Sequence, residues 1–167
     1  AAADLRGLGW TVDELSLMTA PAAPGQDPGV PVEQVDLGTL RPAWDRQWHR
    51  MLPELSAAEI AQLTDRYRAE GEVVRMLPLA VYDGAEVVAS CLLKVDGATA
   101  WLDSLETDPA HRGRGFATAL VAAARARAAA AGCDLVALAA LAGERPGDWY
   151  ARIGFTQVSR AWSAVRT

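Results

Sequence analysis

The chain has 167 residues, of which 51% are apolar and 22% charged, and its formal net charge is −5. These totals predict one soluble globular domain with a full-sized core, and no apolar run is long enough to cross a bilayer. The negative charge argues against a general nucleic-acid binder, which needs cations to neutralise phosphates. Two histidines and two cysteines without a cluster give no support to a metal site. We therefore expect no nucleic-acid, membrane or metal partner.

The cysteines and the N-terminus bear on the cellular compartment. Cys91 and Cys133 both lie in apolar, strand-like runs, which favours free core thiols in a reducing compartment. The Ala-rich residues 1–3 have neither the basic nor the apolar region of a signal peptide, so none is expected. A cytoplasmic location follows as the prediction.

Apolar alternation and a proline-rich stretch distinguish the N-terminal third of the chain. The run Leu5–Thr19 predicts a strand, and the prolines and glycines of residues 20–31 predict a loop or linker. The second of two helices begins with the capping-box sequence Ser56-Ala57-Ala58-Glu59. The other elements expected here are a short strand over 32–37 and helices over 39–51 and 56–68.

Three β-rich runs occupy the middle of the chain, over 73–82, 86–95 and 98–107. They are separated by Asp83-Gly84 and Asp96-Gly97, which are strong hairpin signals. The pattern therefore predicts three consecutive antiparallel strands.

A helix and an apolar run follow these strands. The helix is predicted from about 114 to 131 and ends at Gly132, a residue type favoured after helices. The continuous apolar run Cys133–Ala140 predicts a central strand, parallel to the strand before the helix. A short helix over 147–153 and a last strand from Phe155 complete the chain.

A short internal similarity links the two ends of the chain. Gly7-Leu8-Gly9-Trp10-Thr11 resembles Arg152-Ile153-Gly154-Phe155-Thr156, and strand-like residues follow both. Residues 1–31 are thus interpreted as an extension, either the remnant of a repeat or an extra strand of the sheet, or the match is chance. The main domain is predicted over residues 32–167.

A glycine-rich turn carries the strongest functional signal. Arg112–Ala117 fits the pattern Arg-x-x-Gly-x-Ala, between a strand and a strong helix former. Gly113 and Gly115 let the backbone approach a ligand, and the helix start supplies unpaired N–H donors. Such a turn binds phosphate, although a glycine-rich turn alone is more often an ordinary strand-to-helix connection.

Two motifs resemble the GNAT superfamily of acetyl-CoA-dependent N-acetyltransferases. They are Leu105–Ala117 and Trp149–Phe155, the latter similar to the family ending Tyr-x-x-x-Gly-Phe. The similarity covers residues 32–167. It implies an α/β (α+β) fold with a mixed, mostly antiparallel central sheet flanked by helices, and a splayed strand pair at the cofactor site.

The resemblance also implies acetyl-CoA as cosubstrate and assigns residues to it. Backbone N–H groups at the turn would hold the pyrophosphate, and the Thr118 hydroxyl would add a contact. The pantetheine arm would pair with the backbone of Leu105 and Thr107. The side chains of Arg112 and Arg114 either assist the phosphates or are solvated. The residues assigned to the cofactor are Leu105, Glu106, Thr107, Arg112, Gly113, Arg114, Gly115, Phe116, Ala117 and Thr118.

Acetyl transfer needs a stabilised oxyanion, an acid for the thiolate and loss of a proton from the amine. The resemblance offers the Leu105 N–H as oxyanion donor and Tyr150 as acid, although Tyr150 could be a packed aromatic instead. Strand alternation puts Asp103 on the same face as Leu105 and Thr107, so Asp103 is the candidate base. Glu106 is the rival, a water chain could replace both, and either carboxylate could be purely structural.

The acceptor is expected to be a primary amine of a small molecule or a peptide. The stretch 142–148 lacks the Asn common there in the family, which leaves one cofactor contact open. Trp44 and Trp48 are more consistent with core packing than with an acceptor pocket. The alternative function is an acetyl-CoA- or acyl-CoA-binding sensor or silent repeat without turnover, and a third would transfer a longer acyl group. A monomer or a homodimer is expected.

Overall fold

The computed structural model describes residues 2–25, 28–143 and 145–166. Residues 26 and 27 of the predicted linker, and residue 144 before the last helix, lie outside this description. The helices are α1 (Ala2–Gly7), α2 (Leu37–Met51), α3 (Ala57–Glu70), α4 (Phe116–Ala130) and α5 (Arg145–Arg152). The strands are β1 (Trp10–Pro21), β2 (Glu33–Gln34), β3 (Arg75–Asp83), β4 (Glu86–Asp96), β5 (Thr99–Thr107), β6 (Leu135–Leu141) and β7 (Thr156–Arg166).

One sheet contains all seven of these strands, in the order β2-β3-β4-β5-β6-β1-β7. Its pairs are antiparallel except β5 with β6, which run parallel. The hairpins form where the sequence predicts them, because Gly84 and Gly97 take φ values of 61° and 56° that glycine adopts without strain. The expected mixed, mostly antiparallel sheet flanked by helices is confirmed.

Helices cover both faces of the sheet. On one face, α4 packs into the larger core through Phe116, Leu120 and Ala124, together with Tyr150 and Phe155 from the last fifth of the chain. On the other face, α2 and α3 pack on β3 and β4 in a smaller core of Leu40, Trp44, Tyr67, Ala80, Val87 and Leu92. Burial of these side chains is the main force that holds the helices to the sheet.

The N-terminal segment is an integral part of this sheet. β1 lies between β6 and β7 and pairs with both, so it is an interior strand. The prediction of a strand from Leu5 is wrong at its start, because residues 5–7 are helical in α1 and the strand begins at Trp10. The two similar segments each join a helix to a strand through a glycine of positive φ, 81° at Gly9 and 97° at Gly154. A repeat origin stays a prediction.

Several local predictions match the structure closely. The capping box forms, since Ser56 Oγ accepts from the Glu59 N–H and Glu59 Oε2 accepts from the Ser56 N–H. Cys91 and Cys133 are buried free thiols. The predicted strand over 32–37 is shorter, since only Glu33 and Gln34 pair with β3. Among the described residues, no helix combines the length and the hydropathy that crossing a bilayer requires.

Candidate active site

A cleft opens where β5 and β6 separate. The two strands pair only from Thr99 to Trp101 on β5 and from Leu135 to Ala137 on β6. Beyond that point they diverge, which confirms the expected splayed pair. The cleft has a volume of about 490 Å³. It is lined by Leu105, Glu106, Thr107, His111, Arg112, Gly113, Gly115, Phe116, Ala117, Thr118, Pro146, Trp149 and Tyr150.

The glycine-rich turn forms one wall of the cleft, at the start of α4. Gly115 is the N-cap residue with φ 80°, and no side chain of the described residues caps the helix. The first helical bond runs from the Ala119 N–H to the Gly115 carbonyl. The N–H groups of residues 116–118 therefore lack acceptors within the helix, at its positive end. This is the donor set that a phosphate requires.

Open space lies in front of both glycines of the turn. A Cβ built on Gly113 or Gly115 would meet no described heavy atom within 4 Å. The positive φ of 77° and 80° favours glycine at these positions, and the missing side chains leave the N–H groups uncovered. The turn therefore fits a pyrophosphate by both donors and space.

The two arginines of the turn behave differently. Arg114 Nη1 lies 2.8 Å from Asp83 Oδ2, and its guanidinium lies 5.0 Å from the Phe116 ring centroid. Arg114 is not among the residues that line the cleft, so the predicted contact between its side chain and the cofactor stays a prediction. The Arg114 hydrogen bond and charge also hold the pKa of Asp83 below its usual range.

Arg112 lines the cleft and contacts two other lining residues, Glu106 and Thr107. Its Nε donates to the Thr107 carbonyl over 3.2 Å, and its Nη2 lies 3.4 Å from Glu106 Oε1. The Thr107 hydroxyl oxygen is buried and has no hydrogen-bonding partner within the described part of the chain. Because an unsatisfied buried hydroxyl is costly, this oxygen is a natural contact for a polar ligand.

Tyr150 of α5 is one of the residues that line the cleft. Its side chain is 9% exposed and packs against Trp149 and, edge-on, against Phe155. Burial, together with the nearby Cys91 thiol, raises the pKa of Tyr150 to about 12. The phenol therefore keeps its proton at neutral pH and can donate it to a group in the cleft.

A bulge in β5 changes the expected position of Asp103. Asp103 pairs with Leu92 and Glu106 with Ser90, so Ser104 and Leu105 together face one residue of β4. Strand alternation fails at this point. Asp103 Oδ2 lies 2.6 Å from Lys94 Nζ, which also binds Glu70 of α3.

The assignment of Asp103 to the Leu105 side is therefore wrong. Asp103 is tied to the α3 face and does not line the cleft, whereas Leu105 packs against the core on the α4 face. Nothing in this geometry supports Asp103 as the base.

Glu106 is the carboxylate that lines the cleft. It also borders a small gap lined by Trp44 and Arg50 of α2, so it lies between the cleft and the helices on the other face. Burial raises the pKa of Glu106 above its usual range, although the Arg112 ion pair acts in the opposite direction. A raised pKa makes a carboxylate a better proton acceptor.

Three lining residues were missed by the sequence analysis, namely His111, Pro146 and Trp149. His111 Nε2 lies 3.4 Å from Asp83 Oδ2, and its Nδ1 lies 3.7 Å from Asp108 Oδ1. His111 and Trp149 belong to the two motifs that carry the family resemblance, so their place in those motifs was the available signal.

Comparison with known proteins supports the same family. The family model described as the acetyltransferase (GNAT) family matches residues 39–155. A search of curated proteins gives no match. A functionally unknown conserved protein from Staphylococcus epidermidis shares the fold with a TM-score of 0.74 and 14% identity, over 96% of this chain and 64% of that one.

Two further structures carry the family name. A GNAT-family acetyltransferase, described as putative, from Novosphingobium aromaticivorans has a TM-score of 0.65 and 21% identity, over 93% of this chain and 66% of that one. A GCN5-related N-acetyltransferase from Sphaerobacter thermophilus has a TM-score of 0.64 and 21% identity, over 99% of this chain and 56% of that one. The chain thus spans less than two thirds of the length of these structures. Its sheet, its splayed strands and the matched family model together show that the chain belongs to the GNAT family of acetyltransferases.

Proposed function

We propose that this protein transfers an acetyl group from acetyl-CoA to a primary amine of a small molecule or a peptide. One observation carries the proposal: the uncapped start of α4, the end of β5 and the largely buried Tyr150 all border a single cleft. Bound acetyl-CoA would supply the acetyl thioester.

The cosubstrate would be held by backbone groups. The N–H groups of residues 116–118 offer donors to a pyrophosphate, and the glycines at 113 and 115 leave room for it. Within the described residues, the edge of β5 that faces away from β4 has no strand partner beyond Trp101, so its backbone groups can bind the amides of a pantetheine arm. The buried Thr107 hydroxyl adds a further polar contact.

Tyr150 and Leu105 would support the departure of the thiolate and the charge on the carbonyl oxygen. Leu105 lies in the bulge at the point where β5 has left β6, and we assign its N–H as the donor to that oxygen. Tyr150 is protonated at neutral pH and donates to the leaving sulfur.

Glu106 is the better-supported base. It lines the cleft, and its half-buried carboxylate has a raised pKa, whereas the Asp103 carboxylate is held by Lys94 away from the cleft. Glu106 would take the amine proton directly or through one water molecule.

The test combines binding with turnover. Differential scanning fluorimetry with acetyl-CoA measures stabilisation, and release of free CoA thiol is then screened over a panel of small amines and N-terminal peptides. Stabilisation together with amine-dependent thiol release supports the enzyme. Stabilisation without release on any amine favours the alternative of a binding domain, and no stabilisation contradicts both.

A further inference from the structure

The β5 bulge contains a strained residue. Among the residues that the structure describes, Ser104 is the one non-glycine position with a positive φ, 52°. A Cβ is unfavourable in this left-handed region, so such a conformation persists only where the surroundings hold it. The contacts of Ser104 therefore decide whether the bulge keeps its shape.

A chain of hydrogen bonds holds Ser104 from the face of the sheet that α3 covers. Ser104 Oγ lies 2.8 Å from the Tyr67 hydroxyl, and the Ser104 N–H donates to Asp103 Oδ1 over 2.7 Å. The other Asp103 oxygen lies 2.6 Å from Lys94 Nζ, which also lies 2.6 Å from Glu70 Oε2. Both the side chain and the backbone of Ser104 are thus restrained.

Tyr67 is itself held firmly. Its side chain is 3% exposed and packs on Trp44 with ring centroids 4.6 Å apart. Arg66 Nη2 donates to the Tyr67 hydroxyl oxygen over 2.8 Å, which leaves the hydroxyl hydrogen free for Ser104 Oγ. The anchor of the bulge is therefore a rigid aromatic of α3, on the opposite side of the sheet from α4.

We propose that Tyr67, Ser104 and Asp103 are positioning residues that hold the strained bulge of β5 and thereby aim the Leu105 N–H into the cleft. Leu105 follows Ser104 directly, so a change in φ or ψ at Ser104 reorients the peptide group that carries this N–H. The inference rests on the proposed acetyl transfer for its kinetic consequence.

The three residues act through the backbone and not by contact with cosubstrate. None of them lines the cleft, where the phosphate donors and Thr107 lie. Their loss should therefore lower kcat while leaving the KM for acetyl-CoA nearly constant. A merely structural role would instead lower the melting temperature, while kcat measured well below that temperature would not change.

Two substitutions at residue 104 separate the backbone effect from the loss of the hydroxyl. Ser104→Ala and Ser104→Gly both remove Oγ, but only glycine adopts a positive φ without strain. We expect kcat of Ser104→Ala to be about fivefold to tenfold below that of Ser104→Gly, because the left-handed conformation costs alanine, but not glycine, an energy of that order. Equal kcat values in the two variants would overturn the proposal.

Tyr67→Phe tests the anchor in two backgrounds. In the otherwise native protein it should lower kcat about fivefold, with KM for acetyl-CoA changed less than about twofold. In the Ser104→Gly background it should have less than about a twofold effect, because the restraint is no longer needed. Tyr82→Phe, a half-buried tyrosine of β3 outside this network, is the matched control. The same loss of kcat in both backgrounds would contradict the proposal.

A readout without turnover distinguishes this inference from the proposed function. The backbone amide resonance of Leu105 in ¹⁵N-labelled protein should move in Tyr67→Phe and in Ser104→Ala. In the control Tyr82→Phe it should stay near its native position. If no amine is acetylated but the resonance follows this order, the proposed function fails and the positioning role stands. An unmoved resonance refutes the positioning role whatever the activity.

Discussion

Glu106 and Arg112 form an ion pair at the cleft, with Oε1 and Nη2 3.4 Å apart. The carboxylate side chain is mostly buried, whereas the guanidinium side chain is largely exposed. Burial raises the pKa of Glu106 and Arg112 lowers it, with burial dominant. The proton affinity of the proposed base therefore depends on a side chain that solvent can reach.

This balance predicts the pH dependence of the reaction. A base must be deprotonated, so kcat/KM should fall as pH falls through the raised pKa of Glu106. Arg112→Ala removes a charge that lowers this pKa and should move the acidic limb to higher pH. Arg68→Ala on α3 removes the same charge at a residue that neither lines the cleft nor shifts the pKa of Glu106, so it should leave the limb in place. A limb at the same pH in both variants would show that Glu106 does not control it.

Tyr150→Phe should reduce turnover selectively. The phenol is expected to donate a proton to the leaving sulfur, and general acids of this kind contribute about 10²-fold or more. Stabilisation by acetyl-CoA should be nearly unchanged, because the ring remains packed on Trp149 and Phe155. Steady-state kinetics and thermal shift on the same preparation check both parts. An equal loss of binding and turnover would contradict the acid role.

Gly115→Glu should abolish binding of acetyl-CoA. The new side chain would be strained at φ 80° and would bring a negative charge into the space in front of the α4 N-terminus. Gly97→Glu is the matched control, since Gly97 also has a positive φ and open space but lies in the β4–β5 hairpin. Isothermal titration with acetyl-CoA compares the two. Native affinity in Gly115→Glu would place the phosphate site elsewhere.

Thr107→Val tests the unsatisfied hydroxyl in the cleft. The substitution removes a buried oxygen that has no partner within the described residues, so the free protein should be as stable or slightly more stable. Binding of acetyl-CoA should weaken about fivefold to tenfold if the oxygen contacts the cosubstrate. Thr99→Val, at the exposed start of the same strand, should change neither quantity. Unchanged affinity in Thr107→Val would exclude a cosubstrate contact at this oxygen.

The sequence by itself determined the elements whose signals are local. The Asp-Gly pairs predict the two hairpins, Ser56 and Glu59 predict the capping box, and Gly113 and Gly115 predict the turn before α4. All of these features form in the structure. These features depend on the φ preferences and hydrogen-bonding groups of neighbouring residues, which sequence displays directly.

Only the tertiary structure decided the features that depend on distant partners. β1 lies between β6 and β7, because strand pairing joins residues far apart in sequence and carries no local signal. The bulge at Ser104 places Asp103 on the α3 face of the sheet. Arg114 forms an ion pair with Asp83 and does not line the cleft. One extra residue in a strand reverses the alternation beyond it, and a charged side chain turns toward the ion that folding brings nearest, so neither outcome could be seen before the chain was folded.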